Sequence, residues 1–398
     1  MSTTKAHSQS LNGLESVFRA CDRAAPFNFT VFGAVEGPLT LKALQSAAAR
    51  QVQRFPRLGY RIDDDAIGGP AWVPATSPIQ IDIKSGGPFQ SHLAQTLNQP
   101  FSSPQAHLFR LCWYRSESQQ YLLLTLNHVL GDGRSGLRLF RQIIADAATL
   151  LRGEPMAEVE VETGVDLTSV MEGQWGRPSR PTGRQFSNVS AADRNTAVLP
   201  ISFDADMTGA LMGHCRRLGV SLTGLIAACH GVALADALGS GGPISLSFPV
   251  DWRGRALAGS AEAFGLAVGN AELLYTVSKE TDVWSLARRI SGDLKRAAMQ
   301  APAKGTSTDP EVIYQHRSTG AISSVGRIPW DGVVAPLEVS GMGFAVSCSY
   351  FGDHILTAAT FQGCLQLTYC VVGATITLAE AKGIAEKTVA ALEAVGCH

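Results

Sequence analysis

The stretch Asn127-His128-Val129-Leu130-Gly131-Asp132-Gly133 decides the reading of this chain. It follows Tyr121-Leu122-Leu123-Leu124-Thr125-Leu126, an apolar run short enough for a buried strand. Side chains alternate along a strand, so His128 is expected to share a face with Leu122, Leu124 and Leu126. Asn127 then belongs to the face of Tyr121 and Thr125. Behind the histidine, two glycines around Asp132 permit a tight, left-handed turn that Asp132 can cap. A helix is expected next, because Leu137, Phe140, Ile143, Ile144, Ala147, Leu150 and Leu151 recur at helical spacing. A histidine on an apolar face is usually a packed core residue. One at the rim of an apolar wall can also stay neutral near pH 7 and accept a proton. The heptad alone leaves both readings open.

Outward from the heptad, the pattern suggests two lobes. Residues 1–160 read as a first lobe, with a strand at 29–35, a helix at 40–55 and the heptad near its end. Residues 161–195 carry Pro178 and Pro181 with little periodicity and read as a crossover linker. Residues 196–398 read as a second lobe. Its helices are expected at 204–218 and 221–238, with Ser221 as N-cap of the latter. A strand at 243–250 follows, then a strand at 269–277 and a helix at 281–299. The last third reads as a meander of 343–350, 354–361 and 364–372, closed by a helix at 377–395. Periodicity supports a mixed α/β or α+β fold.

Composition narrows the function classes. The chain has 398 residues, 45% hydrophobic and 17% charged, with a net charge of −1. That balance leaves no electrostatic footprint for nucleic acid or an anionic membrane. No apolar stretch reaches spanning length, and residues 1–10 lack the apolar core of a signal peptide. A cytoplasmic protein, taken as a monomer, is the expectation. Eight scattered cysteines without a CxxC pair read as buried thiols, and no metal site is expected without Cys/His ligand spacing or HExxH. No GxSxG elbow and no P-loop occur. His230 is expected in the core of its helix and His354 exposed in a hairpin turn. Cys229 beside His230 is not a dyad, because helix neighbours diverge.

A second segment, Phe248-Pro249-Val250-Asp251-Trp252-Arg253, lies at the exit of a predicted strand. Together, NHVLGDG and FPVDWR resemble the signatures of the condensation-domain acyltransferase superfamily, whose members have a chloramphenicol-acetyltransferase-like fold. The branch most similar is the polyketide-associated one, the phthiocerol/phthiodiolone dimycocerosyl transferases. The order of elements fits over essentially the whole chain, although only the two motifs are sharp. The resemblance implies two lobes with mixed sheets and an active-site tunnel between them. It implies acyl transfer from a thioester to a hydroxyl or amine acceptor, with His128 as general base, in specialised or lipid metabolism. It further implies that Asp132 turns from His128 to pair with Arg253, and that Gly133 leaves room beside the reacting carbonyl. Asn127 stands where the family's first histidine would be. Ser323-Ser324-Val325-Gly326 resembles a Ser-Asn-x-Gly segment of relatives. Asn127 and Ser324 are therefore candidate substrate contacts, with a structural strand edge the other reading of Ser324.

No bound cofactor is expected. The donor would be acyl-CoA or an acyl-phosphopantetheine carrier protein, with a small-molecule acceptor. Arg134, Arg138 and Arg141 fall on one side of their helix and offer either a local basic patch for a carrier or a solvated face. Two other readings stay open: the same fold running a different condensation or cyclisation, and a non-catalytic binding protein with a degenerate motif.

Overall fold

In the computed structural model, residues 9–102, 105–162, 185–239, 241–253, 262–299, 309–330 and 334–396 are described. Fourteen strands, numbered in chain order, fall into three sheets among them. The first sheet has the order β12 (Glu338–Val346), β2 (Asn28–Glu36), β7 (Gln120–Asn127), β6 (Phe109–Arg115) and β5 (Gln80–Ser85), with only β5 and β6 parallel. The second runs β10 (Val268–Val277), β9 (Gly242–Asp251), β11 (Gly320–Arg327), β13 (His354–Phe361), β14 (Cys364–Val372) and β8 (Thr196–Ser202). Strand β11 is parallel to both β9 and β13. A small third sheet joins β1 (Gln9–Ser10), β4 (Ala71–Pro74) and β3 (Tyr60–Asp63).

Strand β7, which leads into the heptad, is central and covered on both faces, which explains its unbroken leucine run. One face carries Thr125 and, across on β2, Thr30, whose hydroxyls lie 2.9 Å apart. That face meets the helix Phe89–Asn98, through Thr96 and through Asn28, whose amide donates to the Leu97 carbonyl. The opposite face meets the helix Gly133–Leu151 at close range. A Cβ on Gly136 would come within 2.4 Å of the Phe29 ring, and one on Gly33 within 2.9 Å of the Phe140 ring. These two glycines therefore set how near the helix sits to the sheet.

The second core centres on the helix Leu222–Ala237, which Ser221 caps as expected. It is apolar on nearly every side because the second sheet and the helices Val283–Ala297 and Leu378–Gly396 enclose it. Among the described residues no single helix is long and apolar enough to cross a membrane.

Three expectations from the sequence need correction. First, the C-terminal meander does not hold: β12 pairs antiparallel with β2 in the first sheet, not with β13. It packs against the second sheet while doing so, the Thr357 hydroxyl donating to the Phe344 carbonyl at 2.6 Å. From Met342 to Val346 β12 is buried on both sides, so this half has no exposed face to reveal its partner by alternation. Second, His354 is wholly buried, stacked on His230 with ring centroids 4.7 Å apart and planes at 21°. Third, the preceding turn is not a surface turn, because Asp353 is held by two buried guanidiniums. Arg194 Nη1 donates to Asp353 Oδ1 at 3.1 Å and Arg317 Nε donates to Oδ2. Tyr314 lies against both cations, 4.2 Å and 4.0 Å from ring centre to guanidinium carbon. Of the expected linker, residues 163–184 lie outside the described residues.

Candidate active site between the sheets

His128 follows directly on β7, and its amide donates to the Phe27 carbonyl at 2.8 Å. Its Nδ1 lies 3.0 Å from the Gly131 carbonyl. A carbonyl only accepts, so Nδ1 must carry the proton and Nε2 holds the lone pair. Three phenylalanines wall the ring: Phe27 at 4.6 Å, and Phe18 and Phe29 at 5.0 Å between centroids. Phe351 stacks on Phe27 from behind, at 4.7 Å and 19°. This burial disfavours the imidazolium and pushes the His128 pKa down to about 4, against the opposing pull of the Asp132 charge and the Gly131 carbonyl. The ring is thus a neutral acceptor at pH 7. It lines a cavity of about 510 Å³, which also takes Gly133, Ser324, Val325 and Phe344 into its walls.

Asp132 does not bond to His128. It caps the helix Gly133–Leu151, its Oδ1 accepting the Ser135 amide at 3.2 Å. Its Oδ2 accepts from Arg253 Nη1 at 2.7 Å and from the Ala267 amide at 2.9 Å. Burial alone would raise this carboxyl. The guanidinium and the two amides outweigh that and hold it below the usual carboxylate range. Arg253 spends its other donors on Asp251, the Ser135 hydroxyl and the Ala263 and Gly265 carbonyls. The pair therefore pins the turn of the first sheet to the end of β9 in the second. Losing Arg253 would leave the buried Asp132 carboxylate without a counter-charge, whereas losing Asp132 would leave Arg253 only the less buried Asp251.

The two glycines of the turn act differently from the sequence expectation, because neither adopts a positive φ. At Gly131 a Cβ would crowd the Ser135 Cβ at 3.1 Å. At Gly133 the protein leaves room, since a Cβ would meet Val325 at 3.5 Å and Phe344 at 3.9 Å, ordinary contacts. Gly133→Ala is therefore expected to keep or raise stability by about 0.4–1 kcal/mol. If the space serves a reacting carbonyl, thiol release falls at the same time. Urea midpoints beside initial rates check this; a variant both stable and fully active would remove Gly133 from the site.

Ser324 lines the cavity and accepts the Thr223 hydroxyl at 3.0 Å. Strand β11 lies between β9 and β13, but β9 pairs only with Gly320 and Ala321, so at Ser324 the strand is bonded on the β13 side alone and both readings of this residue stand. The pairing with β13 slips between Ser324 and Gly326, a bulge that leaves Val325 unpaired and part of the cavity wall. Asn127 is corrected: it is wholly buried, is not part of the cavity wall, and its Oδ1 accepts the Val129 amide at 3.1 Å. Strand alternation turns it to the face opposite His128. The phenylalanine wall was missed from sequence. Phe27 and Phe29 flank the start of β2 and carried a usable signal, but Phe351 arrives from a distant turn and carried none.

Burial of neutral histidines has a measurable consequence. His128 and His354 both lie near 4, and His230 well below its usual value, in each case chiefly through burial. An unfolded histidine titrates near ~6.5. Between about pH 4 and 6.5 the unfolded chain binds more protons, so stability is complete above that window and falls as pH drops through it. Each of His128 and His354 should remove about 1.4 kcal/mol per pH unit there. Urea midpoints at pH 7 and pH 5 test this, and equal midpoints would contradict it. Among the described residues no group of three or more His, Cys, Asp or Glu is placed to hold a metal.

Comparison with known proteins bears out the resemblance drawn from the two motifs. Residues 193–370 match the family model described as Phthiocerol/phthiodiolone dimycocerosyl transferase C-terminus. Among curated proteins none matches the sequence. Polyketide synthase associated protein 5 from Mycobacterium tuberculosis is 19% identical, with 98% of each chain covered and a TM-score of 0.72. The starter condensation domain of rhizomide synthetase, solved with C8-CoA and Leu-SNAC, is 12% identical at a TM-score of 0.74, covering 98% of this chain and 95% of that one. Trichothecene 15-O-acetyltransferase from Fusarium sporotrichioides is 13% identical at 0.71, covering 98% and 96%. At these identities the solved structures speak for the fold: two mixed-sheet lobes of the condensation-domain and acyltransferase type.

Proposed function

We propose that this chain, with the condensation-domain and acyltransferase architecture, moves an acyl group from a thioester to a hydroxyl or amine acceptor. The observation that carries the reading is the neutral imidazole of His128, proton fixed on Nδ1, at the wall of a cavity between two sheets. The match of residues 193–370 to a transferase family supports it.

In the proposed reaction the acceptor oxygen or nitrogen attacks the thioester carbonyl while His128 Nε2 takes its proton. The tetrahedral adduct collapses, the carbon–sulfur bond breaks, and the thiolate leaves with the proton from the imidazolium. Products are an ester or amide and a free thiol. No acyl-enzyme is needed. Phe18, Phe27, Phe29 and Phe351 keep water from the base, and the walls of the cavity supply orientation. The donor thiol would be that of coenzyme A or of a carrier's phosphopantetheine; a fold relative was solved with C8-CoA.

Incubating the protein with acyl-CoA thioesters and a panel of alcohols and amines tests this by following free thiol. Acceptor-dependent thiol release supports acyl transfer. Acceptor conversion without thiol would point to a different condensation, and ligand binding that never turns over would sink the enzymatic reading.

A further inference from the structure

Among the buried residues of the helix Leu222–Ala237, His230 is the one side chain able to make strong hydrogen bonds. Its ring stacks on that of His354, which opens β13, and the ring of Tyr369 from β14 stands edge-on, 5.6 Å from each. All three residues are wholly buried. None of the four imidazole nitrogens has a hydrogen-bond partner among the described residues. Ala321 and Ile355, on the same two strands β11 and β13, line the His128 cavity. Strand alternation therefore sets the histidine pair directly behind that wall, on the sheet's other face.

Burial keeps both rings neutral, so each carries one N–H and one lone pair. Native cores leave few such groups unmet, because an orphan loses its water without gaining a partner. The rings cannot answer each other. Their planes are only 21° apart, and the N–H and lone-pair directions lie in those planes and point past the neighbour. The same geometry rules out one metal shared by the pair, since nearly parallel planes do not converge within a bond of roughly 2.0–2.1 Å. What both rings do reach is Gly320 on β11. A Cβ there would stand 3.7 Å from His354 Nδ1, 4.0 Å from His230 Nε2 and 3.1 Å from Leu234 Cδ1. The φ of Gly320 is not positive, so the backbone does not demand glycine. A methyl group would be tight against Leu234 and would turn carbon toward two nitrogens; a smaller polar molecule suits the place better.

We propose that the side-chain position of Gly320 is a built site for one enclosed water molecule, which bridges His354 Nδ1 and His230 Nε2. The water donates to the lone pair of one nitrogen and accepts the N–H of the other, so the two rings take opposite roles there. It ties the helix Leu222–Ala237 to β11 and β13. The site stands independently of the reaction assigned to His128.

Gly320→Ala and Gly320→Ser in the full-length protein separate a water site from plain close packing. Both add a Cβ, but only serine returns an oxygen within reach of the two nitrogens. At a glycine of ordinary φ, alanine by itself would stabilise the fold. Here alanine displaces the water and strands both imidazoles, so the unfolding equilibrium constant from urea titration is expected to rise about tenfold or more. Serine, although larger, should recover most of that rise. Close packing alone predicts the reverse order, so serine as harmful as alanine overturns the proposal, and so does a harmless alanine. A crystal structure of the wild type needs no variant to fold. It should show one solvent peak within hydrogen-bond distance of His354 Nδ1 and His230 Nε2. A dry site, or an ion with an anomalous signal at that position, rejects the proposal.

Discussion

His128→Ala should lower acceptor-dependent thiol release by about 10²–10⁴-fold, the usual contribution of a positioned general base. The far-UV spectrum should be unchanged, and stability below pH 6.5 should decline less steeply than in wild type, because one buried imidazole has gone. The mechanism behind the number lies in the phenylalanine wall. Burial that brings the His128 pKa down to about 4 keeps Nε2 unprotonated across the physiological range. A solvated histidine would lose half its activity near pH 6.5; here kcat/KM should stay level through pH 6 and fail only where the fold itself weakens. The same burial makes the imidazolium a strong acid. It yields its proton readily to a departing thiolate, whose ordinary pKa is near ~8.5. Base strength is lower in the first half of the reaction and acid strength higher in the second. A variant with wild-type rates would remove His128 from the chemistry, and a drop in activity near pH 6.5 would contradict the wall's effect.

Asp353→Ala should be the most destabilising single substitution outside the heptad, by about 3–5 kcal/mol. Arg194, Arg317 and Asp353 have side chains no more than 2% exposed, and the carboxylate answers two cations. Its removal leaves both guanidiniums buried without a counter-charge. Backbone acceptors remain for them: the Ser349 and Gly352 carbonyls for Arg194, the Tyr314 and Phe186 carbonyls for Arg317. They satisfy hydrogen bonds but not charge. Because the clamp fixes the turn that carries Phe351, activity should fall further than the folded fraction does. Denaturant midpoints together with rates on the folded fraction measure both. The coupling in a double-mutant cycle between Asp353→Ala and Arg317→Met should exceed about 1 kcal/mol. A loss of under 1 kcal/mol for Asp353→Ala would show the clamp to be solvated.

What the sequence revealed tracks how local the cause is. His128, Asp132 and the helix behind them were readable because strand, turn and cap lie within a few residues of one another. Strands β13 and β14 came out to the residue, since a two-residue turn with Gln362-Gly363 joins them and Gln362 takes a positive φ there. The partnership of Asp132 with Arg253 spans 121 residues and came only through the resemblance of two motifs. The Asp353 clamp had no such help. Its members, at 194, 317 and 353, sit in segments where each charge alone looks like surface. His354 was misplaced for the same reason: a Gly-Asp pair before a strand reads as a solvent-facing turn unless the distant arginines are known. Glycines 131 and 133 invited a left-handed turn, yet one is demanded by a neighbouring side chain and the other leaves open space.

Strand β12 has a further bearing on how substrates get in. It is hydrogen-bonded into one sheet while its backbone accepts from a residue of the other, so the two halves are stitched together along the floor of the crevice. Swinging them apart like jaws would strip β12 either from the ladder of β2 or from its hydrogen bond and packing against β13. Whatever enters the His128 cavity is therefore expected to do so with the two halves still joined along β12.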